Sequence, residues 1–298
     1  MKSSQVRALL LLSVAAVAGC QARVPFQRSI HVGSTKAPVN GLIFVPADYL
    51  ALQPKLESLF GGPVLFDPAL GAEDIAQHLE QGDWQFGIFS AGEYAGIADK
   101  PGLAPVAMAM GEHGQTTMKA FIVAARNSSV KSMADCKGKR FAFGPAGDLL
   151  YDHAARESLT SAGVPASELT REVLPPHLVS GRLNLSSGME IAKVVAFDVT
   201  VPAGVVDEVT FAALPETGGS LIAGPSKDQF TLIGGTQSVP GPIVVASTKA
   251  SPEDVEKLRS FLTLNVANDP MICKQMKVKG FVDPDLNAYA AAARLIQN

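Results

Sequence analysis

From Gly41 onward, short β-branched or aromatic runs alternate with stretches whose apolar residues recur every three or four positions. Leu42–Val45 predicts a strand, and Tyr49, Leu52, Leu56 and Leu59 draw a helical stripe after it. Val64–Phe66 predicts a second strand and Ala72–Gln81 a helix on which Ile75 and Leu79 share a face. Phe86–Phe89 is a third strand, running into Ser90-Ala91-Gly92-Glu93-Tyr94, a strand-to-helix turn. A second series follows: strands at Lys119–Ala124, Arg140–Phe143, Glu172–Leu174, Ala203–Val206 and Gly241–Ala246, with helices at Asp148–Ala162 and Ser187–Phe197. Three more helical stretches occupy 252–264, 270–278 and 286–297. Ser251-Pro252-Glu253-Asp254 opens the first of these with a capping serine, an early proline and acids at the positive dipole end. Alternation of this kind predicts βαβ units and an α/β fold with mostly parallel sheets flanked by helices. Ligands in such sheets sit beyond the carboxyl ends of the strands, here at loops 46–49 and 90–94.

The first forty residues follow a different pattern. Lys2 and Arg7 precede the apolar run Ala8–Ala18, broken by Ser13, and small residues lead to Cys20. These are the parts of a secretory signal peptide, and the run is too short to span a bilayer. Val17-Ala18-Gly19-Cys20 resembles the bacterial lipobox, so Cys20 is expected to carry a lipid after removal of residues 1–19. Residues 20–40 then read as the lipidated cysteine and a tether. Gln21, where aspartate often marks inner-membrane retention, favours the outer membrane for a chain displayed in the periplasm.

The composition fits a globular protein of 298 residues with 47% apolar and 18% charged residues. Its mean hydropathy of +0.20 owes part of its excess to the leader. Loss of Lys2 and Arg7 leaves 23 basic against 28 acidic residues, a balance that argues against nucleic acid as a partner. His31, His78, His113, His153 and His177 show no paired metal-ligand spacing. There is no Gly-x-Ser-x-Gly elbow, and Gly138-Lys139-Arg140 lacks the glycine of a phosphate-binding loop. No enzyme activity, metal or cofactor is therefore expected. Cys136 and Cys273 allow one disulfide in an oxidising compartment, but the setting of Cys136 at a helix end favours two small buried thiols.

The stretch Val130-Lys131-Ser132-Met133-Ala134-Asp135-Cys136-Lys137-Gly138-Lys139-Arg140-Phe141-Ala142-Phe143-Gly144 resembles the signature of the phosphate/phosphite/phosphonate family of ABC-transporter substrate-binding proteins. Ala203-Gly204-Val205-Val206-Asp207, the strand before Ser251-Pro252-Glu253, and Gly280-Phe281 match further, so the resemblance covers roughly 41–298. It implies a two-lobe type II periplasmic-binding-protein fold with a ligand cleft between the lobes. The expected division is 41–122 plus 243–298 for one lobe and 123–242 for the other, with the hinge near 118–124 and 241–247.

The resemblance weakens where the family holds its anion. Phosphonate-binding members have a Ser-Thr-Ser-Gly run at a helix start, where free N–H groups, dipole and hydroxyls hold the ligand. Here the run reads Asp148-Leu149-Leu150-Tyr151. Met189 falls where the family often has histidine, and Pro202 where it has aspartate. A carboxylate and leucines in this place imply a cleft re-lined for a neutral, cationic or largely apolar ligand. Glu93, Tyr94, Asp148 and Asp207 are the candidate polar contacts, with Tyr49, Leu149, Leu150, Tyr151 and Met189 as walls; Tyr94 and Asp207 match family pocket positions.

The leading expectation is a lipid-anchored solute-binding protein for a small-molecule or lipid-like ligand such as a sterol, working with a membrane permease. A phosphonate-type ligand of an ABC importer is the alternative. An interaction or sensory module that uses the lobes as a surface is a third reading.

Overall fold

The computed structural model describes residues 29–35, 46–168, 170–172 and 188–297. The lipobox with Cys20 and the strand expected at Leu42–Val45 lie outside these residues.

The first lobe begins with β1 (Ile30–Ser34), α1 (Leu52–Phe60), β2 (Val64–Pro68), α2 (Ala72–Gln81), β3 (Phe86–Phe89), α3 (Ala91–Ile97) and β4 (Leu103–Gly111). The chain crosses through β5 (Thr117–Met118) into β6 (Ala120–Ala125), β7 (Arg140–Ala142), α4 (Ala155–Ser161), β8 (Thr170–Glu172), α5 (Gly188–Phe197), β9 (Ala203–Asp207), α6 (Glu208–Ala213) and β10 (Phe230–Gly235). It returns through β11 (Val239–Pro240) into β12 (Ile243–Ser247), α7 (Pro252–Ser260), α8 (Pro270–Met276), β13 (Val278–Val282) and α9 (Leu286–Gln297).

The first sheet has the order β13-β4-β12-β3-β1-β2 and the second β10-β6-β9-β7-β8. β1 runs parallel to β2 and β3, whereas β12 and β13 run against their neighbours, so the sheet is mixed and not mostly parallel as expected, because the strands that follow the return crossing insert in the opposite sense. In the second sheet β7 is parallel to β8 and β9, and β6 runs against β9 and β10. The two crossings meet each other, since Met118 of β5 pairs with Val239 of β11 in a short antiparallel ribbon. A two-stranded ribbon between two sheets can bend without breaking either sheet, which is the mechanical requirement of a hinge.

One correction concerns the segment 20–40, read as a tether. Ile30–Ser34 lies inside it and is a strand with neighbours on both sides. Ile30 and Val32 alternate into the core, a period too short in Ile-His-Val-Gly-Ser to stand out from its polar surroundings. The predicted stripe on α2 holds: Ile75, Ala76 and Leu79 are buried, and Gly82 closes the helix in the left-handed conformation at φ 81°. At α7 Pro252 and the acids stand as expected, but Ser251 makes no side-chain capping bond. The helix expected over Asp148–Ala162 begins with a π-helical turn, Leu149–Ala154, before α4.

Apolar contacts cover the first sheet on both faces. Tyr49, Leu52, Leu56, Leu258, Leu262 and Ile272 pack on one side. The other side is continuous with the second lobe: Ala91, Tyr94 and Tyr289 join Leu149, Leu150 and Ala154 in one cluster. Gly204 on β9 permits the close seat of α5, because a Cβ there would meet Val195, Ala142 and Ile191 within 3.0 Å. Cys136 and Cys273 are free thiols. Burial pushes the Cys136 thiol up to about 12, and Cys273 Sγ donates to the Val266 carbonyl at 3.2 Å. Among the described residues no helix is long and apolar enough to cross a membrane.

Candidate functional site

Three strands deliver their carboxyl ends to the gap between the sheets. β3 ends at Phe89 and turns through Ser90 into α3; β7 leads by Gly144–Asp148 into the π turn; β9 ends at Asp207, which starts α6. The gap is a cavity of about 350 Å³. Glu93, Asp148, Leu149, Leu150, Tyr151 and Asp207 all line it.

Each of these three helix starts is occupied by a carboxylate from the chain itself. Ser90 and Glu93 form a capping box, in which Glu93 Oε2 accepts from the Ser90 N–H at 2.7 Å and Ser90 Oγ from the Glu93 N–H. Glu93 Oε1 also accepts from Thr35 Oγ1 at 2.7 Å. Asp148 Oδ1 accepts from the N–H groups of Leu150 and Tyr151 at 2.9 and 2.6 Å. Asp207 Oδ1 accepts from the Thr210 N–H at 2.8 Å. A helix start draws negative charge, and here the protein provides it internally.

Tyr151 links two of these elements. Its hydroxyl donates to Asp207 Oδ2 at 2.7 Å and accepts from the Gly188 N–H at the start of α5. Burial and the adjacent Asp207 carboxylate hold the phenol far above its ordinary range, so Tyr151 is a donor at every working pH. Behind the π turn, buried Asp152 accepts from the Gly147 N–H at 2.8 Å and pairs with Arg156, fixing the loop from below. Burial also raises the Asp148 carboxyl against the lowering effect of its two N–H bonds.

The sign of that shift gives a prediction. A carboxyl whose folded pKa is raised costs stability when ionised; the cost is present above the folded pKa and vanishes as pH falls below the ordinary aspartate value. Asp148→Asn keeps an oxygen for the two N–H groups and loses the charge. The variant should therefore melt higher than the wild type near neutral pH, with the gap closing toward about pH 4. Calorimetric melting across that range measures it, and a gap that widens on acidification contradicts the assignment.

Tyr49, Tyr94 and Met189 stand apart from the main cavity. Tyr49 is buried, stacks on Phe66 at 5.2 Å and lines an adjoining cavity of about 230 Å³. Its phenol bonds Ser34, and burial raises its pKa. Tyr94 is 4% exposed and meets Tyr289 edge-on at 5.0 Å, while Tyr289 donates to the Gly241 carbonyl at 2.7 Å. Tyr94 is thus part of the α3–α9 seam rather than the cavity wall. Met189 packs against the core beside Gly188.

The sequence reading missed Glu112, Gln115, Met118, Val239, Pro240 and Lys277, all of which line the main cavity. Most of them sit in the turn and ribbon of the two crossings, and only the paired crossing strands bring them to the site. Lys277, the one cation among the described lining residues, has φ 55°, the left-handed conformation that ends α8. No group of three or more metal-ligating side chains occurs among the described residues.

Several solved structures share the fold. XAC2383 from Xanthomonas citri, bound to ATP, matches with a TM-score of 0.65 at 17% identity over 90% of this chain and 97% of that one. PhnD1 from Prochlorococcus marinus, in complex with methylphosphonate, matches at 0.60 and 14% identity over 90% and 97%. A binding protein component of an ABC phosphonate transporter from Pseudomonas aeruginosa matches at 0.58 and 15% identity over 91% and 86%. At such identities the likeness carries the fold alone. No curated protein matches the sequence. The family model of the ABC transporter, phosphonate, periplasmic substrate-binding protein matches residues 45–289, most of both lobes and all three strand ends at the cleft, and the chain belongs to that family.

Proposed function

We propose that this protein is a lipid-anchored periplasmic solute-binding protein whose lobes close on a neutral or hydrophobic ligand, lipid- or sterol-like in character. One observation carries this reading: Glu93, Asp148 and Asp207 occupy the three helix starts that face the cleft. An entering oxyanion would have to displace a carboxylate from its N–H groups and be repelled by it. Leu149, Leu150, Val209, Val239, Pro240 and Pro242 supply apolar wall in the same cavity. The anchor rests on the sequence around Cys20. Handing the ligand to a membrane permease follows from family membership.

Native mass spectrometry of the protein released from its own membranes tests the reading. A co-purifying neutral or lipid-like molecule is the expected result, together with a mass showing acylation at Cys20. Recovery of a bound phosphonate or phosphate overturns it.

The second reading keeps an oxyanion ligand. It is favoured by family membership and by Lys277 at the cavity edge. It requires backbone N–H groups that Asp148 now occupies, and so needs that side chain to swing away on binding.

A further inference from the structure

The cleft does not end at the strand ends. Ser90, Glu93 and Pro242 line both the 350 Å³ cavity and the 230 Å³ cavity beside it, so the two are chambers separated by one shared wall. The second chamber lies within the first lobe, under the carboxyl ends of β1 and β3, and is lined chiefly by Ile88, Val244, Met276, Val278 and Phe281. Its polar groups are already engaged: Tyr49 with Ser34, and Thr35 with Glu93. The second chamber shares only the Glu93 carboxylate, whose two oxygens are taken by Ser90 and Thr35, whereas the larger chamber adds the carboxylates of Glu112, Asp148 and Asp207 against Lys277, the single cation among its described lining residues.

We infer that the two chambers divide one elongated amphiphile, with its apolar tail in the second chamber and a hydrogen-bond-donating head, hydroxyl or amine, among the carboxylates of the first. This rests on the proposed solute-binding reading and sharpens it to a ligand class. Glu93 stands at this shared wall with its oxygens committed to Ser90 and Thr35, and the ligand would cross the wall where Ser90, Glu93 and Pro242 line both chambers. Together the chambers fall in the usual size range of small-molecule sites.

The test is isothermal titration of the purified protein with straight-chain primary alcohols and amines of increasing length, beside the matching alkyl sulfates and methylphosphonate. Affinity for the alcohols and amines should rise roughly fourfold for each methylene that enters the chamber, then level off when it is full. Met276→Trp and Val244→Phe should each level the series at shorter chains than in the wild type, with melting curves confirming that both variants are folded. Alcohol and amine affinities that do not vary with length overturn the tail chamber but leave the solute-binding reading in place. Sulfates or methylphosphonate binding more tightly than alcohols and amines overturn both the donor head and the reading beneath it.

Discussion

Asp207→Ala lowers the melting temperature by about 5–10 °C, the largest loss expected from any one polar side chain at the cleft. Asp207 acts twice. Oδ1 caps α6 through the Thr210 N–H, and Oδ2 accepts the Tyr151 hydroxyl. Losing the cap costs about 1 kcal/mol and losing a charge-assisted bond about 1.5–3 kcal/mol, with the Tyr151 hydroxyl left one partner short at the start of α5. Tyr151→Phe keeps the cap but loses the shared bond and leaves the Gly188 N–H without the hydroxyl, so it should cost about 1.5–3 kcal/mol. The double variant should then cost less than the two singles together by about 1.5 kcal/mol, because the bond they share can be lost only once. Chemical denaturation of the four proteins measures the cycle; Asp207→Ala melting with the wild type, or strictly additive losses, contradicts the linkage.

The second large effect is on anion affinity. Asp148 fills the N–H groups of Leu150 and Tyr151, the same groups a phosphonate would use at this helix start. At an effective dielectric of about 20, a unit charge some 4–8 Å from another is worth roughly 2–4 kcal/mol, and a dianion feels more. Asp148→Gly removes the charge and vacates both N–H groups, so methylphosphonate affinity should rise at least tenfold. Asp148→Asn removes the charge but keeps an acceptor on the same N–H groups, and should gain less. Titration of the three proteins with methylphosphonate decides between the readings of the cleft. Tight binding by the wild type that Asp148→Gly weakens would mean that the carboxylate assists anion binding and that the cleft has not been re-lined.

Much of the architecture was legible in the chain. The stripe of α2, the strand-to-helix turn at Ser90 and the Pro252 helix start are local, each fixed by residues within one or two turns of each other. Other elements were not. Leu103–Gly111 is a central strand built from Ala, Pro and Met, without the β-branched run that marks a strand, and it is extended because β12 and β13 pair with it on both sides. β13 carries Gly280 at φ 156°, which breaks its alternation, and its pairing with β4 sets the register. β1 shows the same dependence, since its short period gains meaning only between β2 and β3.

The candidate site divides along the same line. Asp148, Leu149, Leu150, Tyr151 and Asp207 could be picked out by their position after strands of a recognisable family pattern, and the cavity gathers all five. Tyr94 could not be placed from sequence, because a tyrosine in the first turn of a helix can face either a cleft or a neighbouring helix. The approach of α9 turned it toward Tyr289.

By itself the sequence determined the α/β class and the family pattern, and it placed Asp148-Leu149-Leu150-Tyr151 after the Arg140–Phe143 run, since these are matters of residue type and local spacing. Only the tertiary structure decided that three carboxylates from distant segments fill three converging helix starts, and that a second apolar chamber opens beside them. Convergence depends on which strand ends the two sheets bring together, and a cavity is the space that packing leaves; neither is a property of any one stretch of chain.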